Sequence, residues 1–218
     1  MPDLDFKVTG VLAAALGLTP LFNFQLEVTN PVANESIHSV ALQVQIQISA
    51  PQRSYTAVEK EKLIDLFGTP ERWARTVRPL LWMNTSVVVP RFAGDTVVNL
   101  ELPCTFDFNV AATKYFHALD AGDIPLCVMF SGTLFLEGPE GVLQVANVPW
   151  DREASFRLPI AVWKEMMEMH YPNTSWLCLH RDTFDALYDF KVRHGIPTWE
   201  QAIARALAAA ETPEEVNT

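Results

Sequence analysis

Apolar and polar residues alternate strictly along two early stretches of the chain. Phe22, Phe24, Leu26 and Val28 alternate with Asn23, Gln25, Glu27 and Thr29. Val40, Leu42, Val44, Ile46 and Ile48 alternate with Ser39, Ala41, Gln43, Gln45 and Gln47. A period of two sends successive side chains to opposite faces, so each stretch predicts a half-buried strand. Asn30, Pro31 and Asn34 mark the turn between them. The polar face of the second strand is glutamine, where a freely solvated face ordinarily carries lysine or glutamate. It reads as an ordinary wet face or as a face that meets a partner or a second layer.

The period then changes. Thr56 and Glu59 have the spacing of a capping box, in which a threonine oxygen satisfies the third N–H and the glutamate reaches back. Leu63, Leu66 and Phe67 follow at helical spacing, and Gly68 suits the residue after a helix. Pro70 opens a second short helix carrying Trp73, and Pro79 ends it. Residues 52–80 are thus a helical insertion between strands. Strands resume at 82–89, 96–102, 104–110, 125–136 and 142–148, with turns at Gly94 and Asp95 and at 138–141. A helix over 111–119 interrupts them and ends by Gly122. Ser131 and Gly132 inside a strand point to a bulge or a close backbone approach.

The last third reads as helical. Leu158 and Pro159 open a helix to about His170, and 177–179 is a short extended piece. Asp182 or Thr183 caps a helix with Phe184, Leu187, Tyr188 and Val192 on neighbouring turns, closed by Arg193, His194 and Gly195. Thr198 and Gln201 form another capping box, opening a last helix whose Trp199, Ile203, Leu207 and Ala210 pack on the body. The expected architecture is α+β: an antiparallel sheet or sandwich with a helical insertion near 56–78 and a helical C-terminal third. One domain spans 1–210, divided into 1–51, 52–80, 81–157 and 158–210, with a frayed tail at 211–218.

Composition narrows the function classes. The 218 residues are 49% hydrophobic and 19% charged, as expected of a packed globule. Net charge is −10, which disfavours nucleic acid and anionic membrane as partners. Cys104, Cys127 and Cys178 are widely spaced and odd in number, so they form no disulfide framework and suit a reducing compartment. The acidic start and short apolar run 11–18 do not resemble a secretion signal, and no run of about 20 apolar residues predicts a membrane span. A cytoplasmic protein without membrane insertion is expected.

Catalytic chemistry finds little support. Ser131 lacks a nucleophile elbow, and Cys104 lacks a local histidine. Asp107 with Asp95 or Glu101 is a carboxylate pair whose separation nothing in the sequence fixes. No glycine-rich nucleotide loop occurs, so no cofactor is expected. His170, Cys178 and His180 are the nearest approach to a metal cluster, but H-x7-C-x-H matches no zinc pattern and lacks an evident fourth ligand. The helix over 160–169 is more suggestive. Ile160, Trp163 and Met167 share one stripe, and Val162, Met166 and Met169 form a second, with charge confined to Lys164, Glu165 and Glu168. One stripe buries the helix, and the other needs a cover. Val162, Trp163, Met166 and Met169 are the expected protein interface.

Several blocks carry a resemblance. Residues 66–73, 76–82, 103–107, 114–115, 117–119, 130–133, 148–150 and 197–199 together resemble an uncharacterised bacterial family known as a domain of unknown function. That resemblance implies occurrence in gene clusters of actinobacterial-type nickel–iron hydrogenases, and so an accessory or assembly role with a hydrogenase subunit or maturation factor as partner. It supplies no active-site residues. Leu158, Pro159, Tyr171, Pro172, Leu177, Leu179 and 184–188 are locally similar to SecB-type export chaperones. The expectation is a non-catalytic protein-binding accessory factor. The alternatives are a SecB-like chaperone of unfolded clients and a metal-binding protein or enzyme using His170, Cys178 and His180.

Overall fold

The computed structural model describes residues 3–14, 19–32, 35–104, 110–138, 142–174, 177 and 179–211. The chain divides into two compact units, Met1–Thr174 and Ser175–Thr218, where the sequence predicted one domain to residue 210. The class is the one expected, α+β with antiparallel sheets.

The first unit holds nine strands: β1 (Asp5–Ala13), β2 (Leu21–Thr29), β3 (Ser36–Ile48), β4 (Leu80–Val89), β5 (Phe92–Ala93), β6 (Asp95–Pro103), β7 (Asp123–Glu137), β8 (Leu143–Asn147) and β9 (Glu153–Pro159). One sheet has the order β1-β2-β6. The other runs β4-β3-β7-β8, with β5 also on β3 and β9 also on β7. The sheets face each other through aromatic rings. Phe6 of β1 stacks on Phe130 of β7 at 4.6 Å, and Phe24 of β2 meets Phe156 of β9 at 5.5 Å. The two alternating stretches behave as their period dictates: Phe22, Phe24, Leu26 and Val28, and Val40 to Ile48 on the even positions, are all buried between the sheets. β1, β5 and β9 were not predicted. β1 lacks clean alternation after Val8 because a register shift falls between Val8 and Gly10. The strand expected over 104–110 falls mostly outside the described residues, which omit 105–109; of its two ends, Cys104 follows β6 and Val110 opens a helix.

β7 is the longest strand, with 15 residues. It pairs with β3 on one side from Leu126 to Leu136, and on the other with β9 and then β8. The neighbour changes at Gly132, whose φ is 147° and whose carbonyl accepts from Val148. A Cβ there would sit 2.1 Å from the Ala41 carbonyl oxygen. The Ser131–Gly132 signal was therefore a close backbone approach.

Helices close one end of this unit. The insertion contains α1 (Ala57–Lys62), α2 (Ile64–Phe67) and α3 (Trp73–Thr76), with a single 3-10 turn at Pro70–Arg72. The capping box forms in full: the Glu59 N–H donates to the Thr56 hydroxyl at 3.2 Å, and the Thr56 N–H donates to the Glu59 carboxylate at 2.9 Å. Gly68 ends α2 at φ 75°. α4 (Val110–Ala118) and α5 (Ile160–His170) complete the lid. An aromatic chain joins the parts: Phe67 meets Tyr115, Trp82 meets Phe116 at 5.1 Å, and Phe116 meets Trp163 at 5.6 Å.

A polar network anchors the insertion. Arg53 donates to Glu59 at 2.9 Å, to the Asp123 carbonyl at 3.1 Å and to the Ala121 carbonyl. Glu59 also accepts from the Asp120 N–H at 3.1 Å. Burial works to raise the Glu59 pKa, but Arg53 and the Thr56 and Asp120 N–H groups overcome it and hold the carboxyl below its usual value. Tyr55 donates to the Ala50 carbonyl at 2.7 Å, so in the 2.8 Å contact between the Tyr55 and Tyr115 hydroxyls Tyr115 is the donor.

In the second unit α6 (Arg181–Arg193) and α7 (Trp199–Glu211) pack together. Trp199 lies 5.1 Å from Phe184 and 6.2 Å from Tyr188. The residue capping α6 is His180 rather than Asp182 or Thr183, and it makes no side-chain cap; Asp182 sits in the first turn. The Gln201 N–H donates to the Thr198 hydroxyl at 3.2 Å, half of the predicted box.

Two stability outcomes follow. Gly132→Ala forces a strained φ and a clash with β3, and should lower unfolding free energy by about 3 kcal/mol or more in urea titration. Glu59→Gln leaves Arg53 without its counter-charge and should cost about 3 kcal/mol near pH 7. Because the folded Glu59 pKa lies below the unfolded one, its stabilisation is present above the ordinary carboxylate pKa. It is lost as pH falls through the depressed folded value. The gap between wild type and Glu59→Gln should therefore shrink in titrations repeated near about pH 3.

Candidate functional site

The register of β3 determines what the large sheet shows on its outer face. With Val40, Leu42, Val44, Ile46 and Ile48 turned inward, the intervening residues must point away from the core. Pairing then lays them out in cross-strand rows. Val88, Ala41, Thr133 and Asn147 form one row, and Ser86, Gln43 and Ser131 the next. Asn84, Gln45 and Met129 form a third. No formal charge stands in these rows across β4, β3, β7 and β8. Charge begins at their borders, with Glu153 on β9 beyond Met129 and the Arg91–Glu137 ion pair. A shallow depression of about 420 Å³ lies on this face among Gln43, Gln45, Asn84, Ser86 and Ser131. In a chain of net charge −10, such a field is a local departure from composition. Depletion of charge is the compositional mark of an interface centre.

β8 adds apolar area. Leu143 and Val145 pair with Glu137 and Phe135 on the same outer side and are 51% and 62% exposed. Beyond β8, the turn into β9 carries Trp150, which is 92% exposed. A large aromatic ring left in water at a strand-edge turn is costly, and tryptophan is the residue most enriched at binding hot spots. The sequence offered no signal to separate Trp150 from the other tryptophans; burial does.

The predicted interface on α5 divides. Trp163 and Met166 are 4% and 0% exposed and belong to the core, so as surface anchors they are corrected. The buried stripe is Ile160, Trp163 and Met166, because Phe116 and His117 of α4 pack against Trp163. Val162 is half-buried against the core, and Met169 is exposed.

The other candidates fall as follows. Cys178 lies outside the described residues, and His170 and His180 belong to different units. The His170 Nδ1 is 2.9 Å from the Met166 carbonyl. Among the described residues, no group of three or more His, Cys, Asp or Glu side chains converges. Burial pushes the Cys104 thiol up to about 12, and the Phe22 backbone only partly offsets it. The Cys127 thiol is also raised, by burial and by Glu153, to which it donates at 3.7 Å. Neither offers a ready thiolate at neutral pH. Asp107 is outside the described residues. Its pairing with Asp95 or Glu101, which stand near the two ends of β6, therefore also lies outside the described residues. No helix among the described residues is long and apolar enough to cross a membrane.

Comparison with known proteins gives one family match, to the model described as "Family of unknown function (DUF6084)", over residues 1–215. No curated protein matches. Among solved structures, the chain is similar to the CARDB domain of a Pyrococcus furiosus protein in complex with di-metal ions. Identity is 14% and the TM-score 0.28, covering 72% of this chain and 92% of that one. It is also similar to a protein assigned to the late embryogenesis abundant class, at 14% identity and TM-score 0.29, covering 73% of each chain. A third is the β-glucosidase from Kluyveromyces marxianus in complex with glucose, at 13% identity and TM-score 0.26, covering 72% of this chain and 15% of that one. TM-scores this low carry no argument.

The division of α5 has a direct check. Met166→Lys places a charge in the core and should cost about 4 kcal/mol or more, or prevent folding. Met169→Lys and Trp150→Ala should each shift the urea midpoint by no more than about 0.5 kcal/mol equivalent.

Proposed function

We propose, for a chain that belongs to the DUF6084 family of unknown function, a role as a non-catalytic protein-binding accessory factor. The observation that supports it is the set of charge-free central rows on the outer face of the β4-β3-β7-β8 sheet, bordered by exposed Leu143 and Val145 and by Trp150. The partner is a folded protein with a neutral surface. It matches the amide and hydroxyl rows with hydrogen bonds and takes Trp150 as an apolar anchor. Glutamine, asparagine and serine suit this work because they offer donors and acceptors without the desolvation cost of a charge. The sequence resemblance to proteins of nickel–iron hydrogenase gene clusters supplies the named candidate, a hydrogenase subunit or maturation factor. On this proposal α5 contributes through Met169 and Val162 at most, since Trp163 and Met166 serve the core.

Affinity capture of tagged full-length protein from its native host, quantified by mass spectrometry, tests the proposal when wild type is run beside Trp150→Ala and Gln45→Glu. The expected result is one partner near equimolar recovery with wild type, lost from both folded variants. With that partner purified, Trp150→Ala should weaken binding by about tenfold or more. Equal recovery by folded variants rejects the sheet face. Many substoichiometric clients, unaffected by either change, would instead favour the chaperone alternative.

A further inference from the structure

The edges of the two sheets are not finished alike. On one side β4 lies alongside β6, and on the other β9 lies alongside β1, so the sheet pair closes on itself there. β8 takes up the pairing with β7 beyond the point where β9 leaves it, and among the described elements only β7 lies alongside it.

The ladder register decides which backbone groups of β8 are spare. The Gly138 N–H donates to the Val142 carbonyl at 2.8 Å, and the Val148 N–H to the Gly132 carbonyl at 2.9 Å. Bonded and unbonded pairs alternate along antiparallel strands, so Gln144 and Ala146 turn their backbone groups to Leu136 and Leu134. Leu143, Val145 and Asn147 turn theirs to the open edge, where no backbone partner meets them among the described residues. Edges of this kind are ordinarily guarded by charge, proline or a bulge. β1 has Lys7 and a register shift at Gly10, and β9 has Glu153, Arg157 and Pro159. β8 has no charge, no proline and no register shift. The chain carries no charge from Val142 to Trp150. Val142, Leu143 and Val145 are also exposed.

We infer that β8 pairs with β8 of a second copy of this chain, antiparallel about a two-fold axis at Val145. In that register Val145 faces its own symmetry mate, and Leu143 faces the mate of Asn147. The three outward residues of each copy then exchange about six backbone hydrogen bonds in total. A second copy fits this edge for two reasons. Copies of a chain with net charge −10 repel one another, and they meet at least cost where neither carries charge. The two-fold pairing also covers the same exposed apolar residues on both copies at once and leaves no β8 edge over, so growth stops at two. The dimer goes beyond the sheet-face proposal. Leu143 and Val145 keep their side chains on the outer face, and the central rows of the two copies join across the axis. The junction is small beside a standard interface of about 1,600 Å², so the dimer is weak, with a dissociation constant of about 1–100 μM.

Sedimentation velocity of the full chain, from about 1 to 500 μM, tests the inference together with hydrogen exchange of the backbone amides. The expected result is a reversible monomer–dimer equilibrium. The Leu143, Val145 and Asn147 amides should exchange several-fold more slowly at the upper concentration than at the lower. Val145→Lys sets like charges across the axis and should raise the dissociation constant by about tenfold or more. Val145→Pro removes the spare N–H without touching the ladder to β7, and should do the same with an unchanged circular dichroism spectrum. Four outcomes would overturn the inference: a monomer throughout, growth beyond a dimer, wild-type dimerisation by both folded variants, or edge amides whose exchange is independent of concentration. The exchange measurement on wild type decides the matter even where a variant does not fold. Edge amides protected only on addition of another protein would assign the edge to a foreign strand and overturn it too. Gln45→Glu should dimerise like wild type, so failure of the sheet-face proposal and failure of this one are separable.

Discussion

The pairing of β3 with β7 is the constraint on which the rest of this protein depends. A strand's side chains alternate with a period of two, so a slip of one residue would exchange every inward residue for an outward one. Gln43, Gln45 and Gln47 would enter the core, and Leu42, Val44 and Ile46 would face away from it. The cost of burying three amides without partners makes that slip inaccessible. Gly132 adds a second lock, because the backbone of Ala41 and Leu42 comes too close for any Cβ at this point. The same residue lies where β7 exchanges β9 for β8, so one glycine serves the register, the neighbour change and the step that carries Trp150.

With that register set, the two ends of the sheet pair acquire different characters. The lid end is aromatic and tightly connected. Trp82, Phe116 and Trp163 bridge the sheet to α4 and α5, and Phe67, Tyr55 and Tyr115 bridge α4 to the insertion. The Arg53–Glu59 pair sits at the base of that insertion and ties it to the Ala121 and Asp123 carbonyls at the start of β7. A buried ion pair contributes little net stability compared with a well-packed apolar pair, but each partner becomes essential once the other is present. Here the pair fixes where the insertion sits.

The role proposed for this protein rests on the outer face of its larger sheet. The Cys104 and Cys127 thiols are held protonated at neutral pH chiefly by burial. The outer sheet face draws on hydrogen-bonding groups that carry no charge. It is broad, neutral in its central rows and flanked by exposed apolar side chains. It is built on paired strands, which limits the entropy lost when something binds.

The sequence by itself determined β2 and β3, the capping box at Thr56, the helix ends at Gly68 and Gly195, and the special position of Gly132. Each follows from interactions between residues close along the chain, or from a period that depends on nothing else. The glutamine face of β3 was legible for the same reason, as an unusual polar set on an otherwise ordinary strand. β1 was missed because its alternation breaks near Gly10, where the register shifts; β9 was legible, since Ala154, Phe156 and Leu158 alternate with Glu153, Ser155 and Arg157, but its length is short and Pro159 ends it. On α5 the sequence identified two apolar stripes but could not say which was covered. Helical periodicity gives the angle between residues, and only packing gives the direction of the core. The tertiary structure put Trp163 and Met166 inside, left Trp150 outside, and brought Arg53 beside Trp73 and Arg78. Those placements join residues far apart in the chain, and burial, which decides what a side chain can do, is a property of the assembled fold.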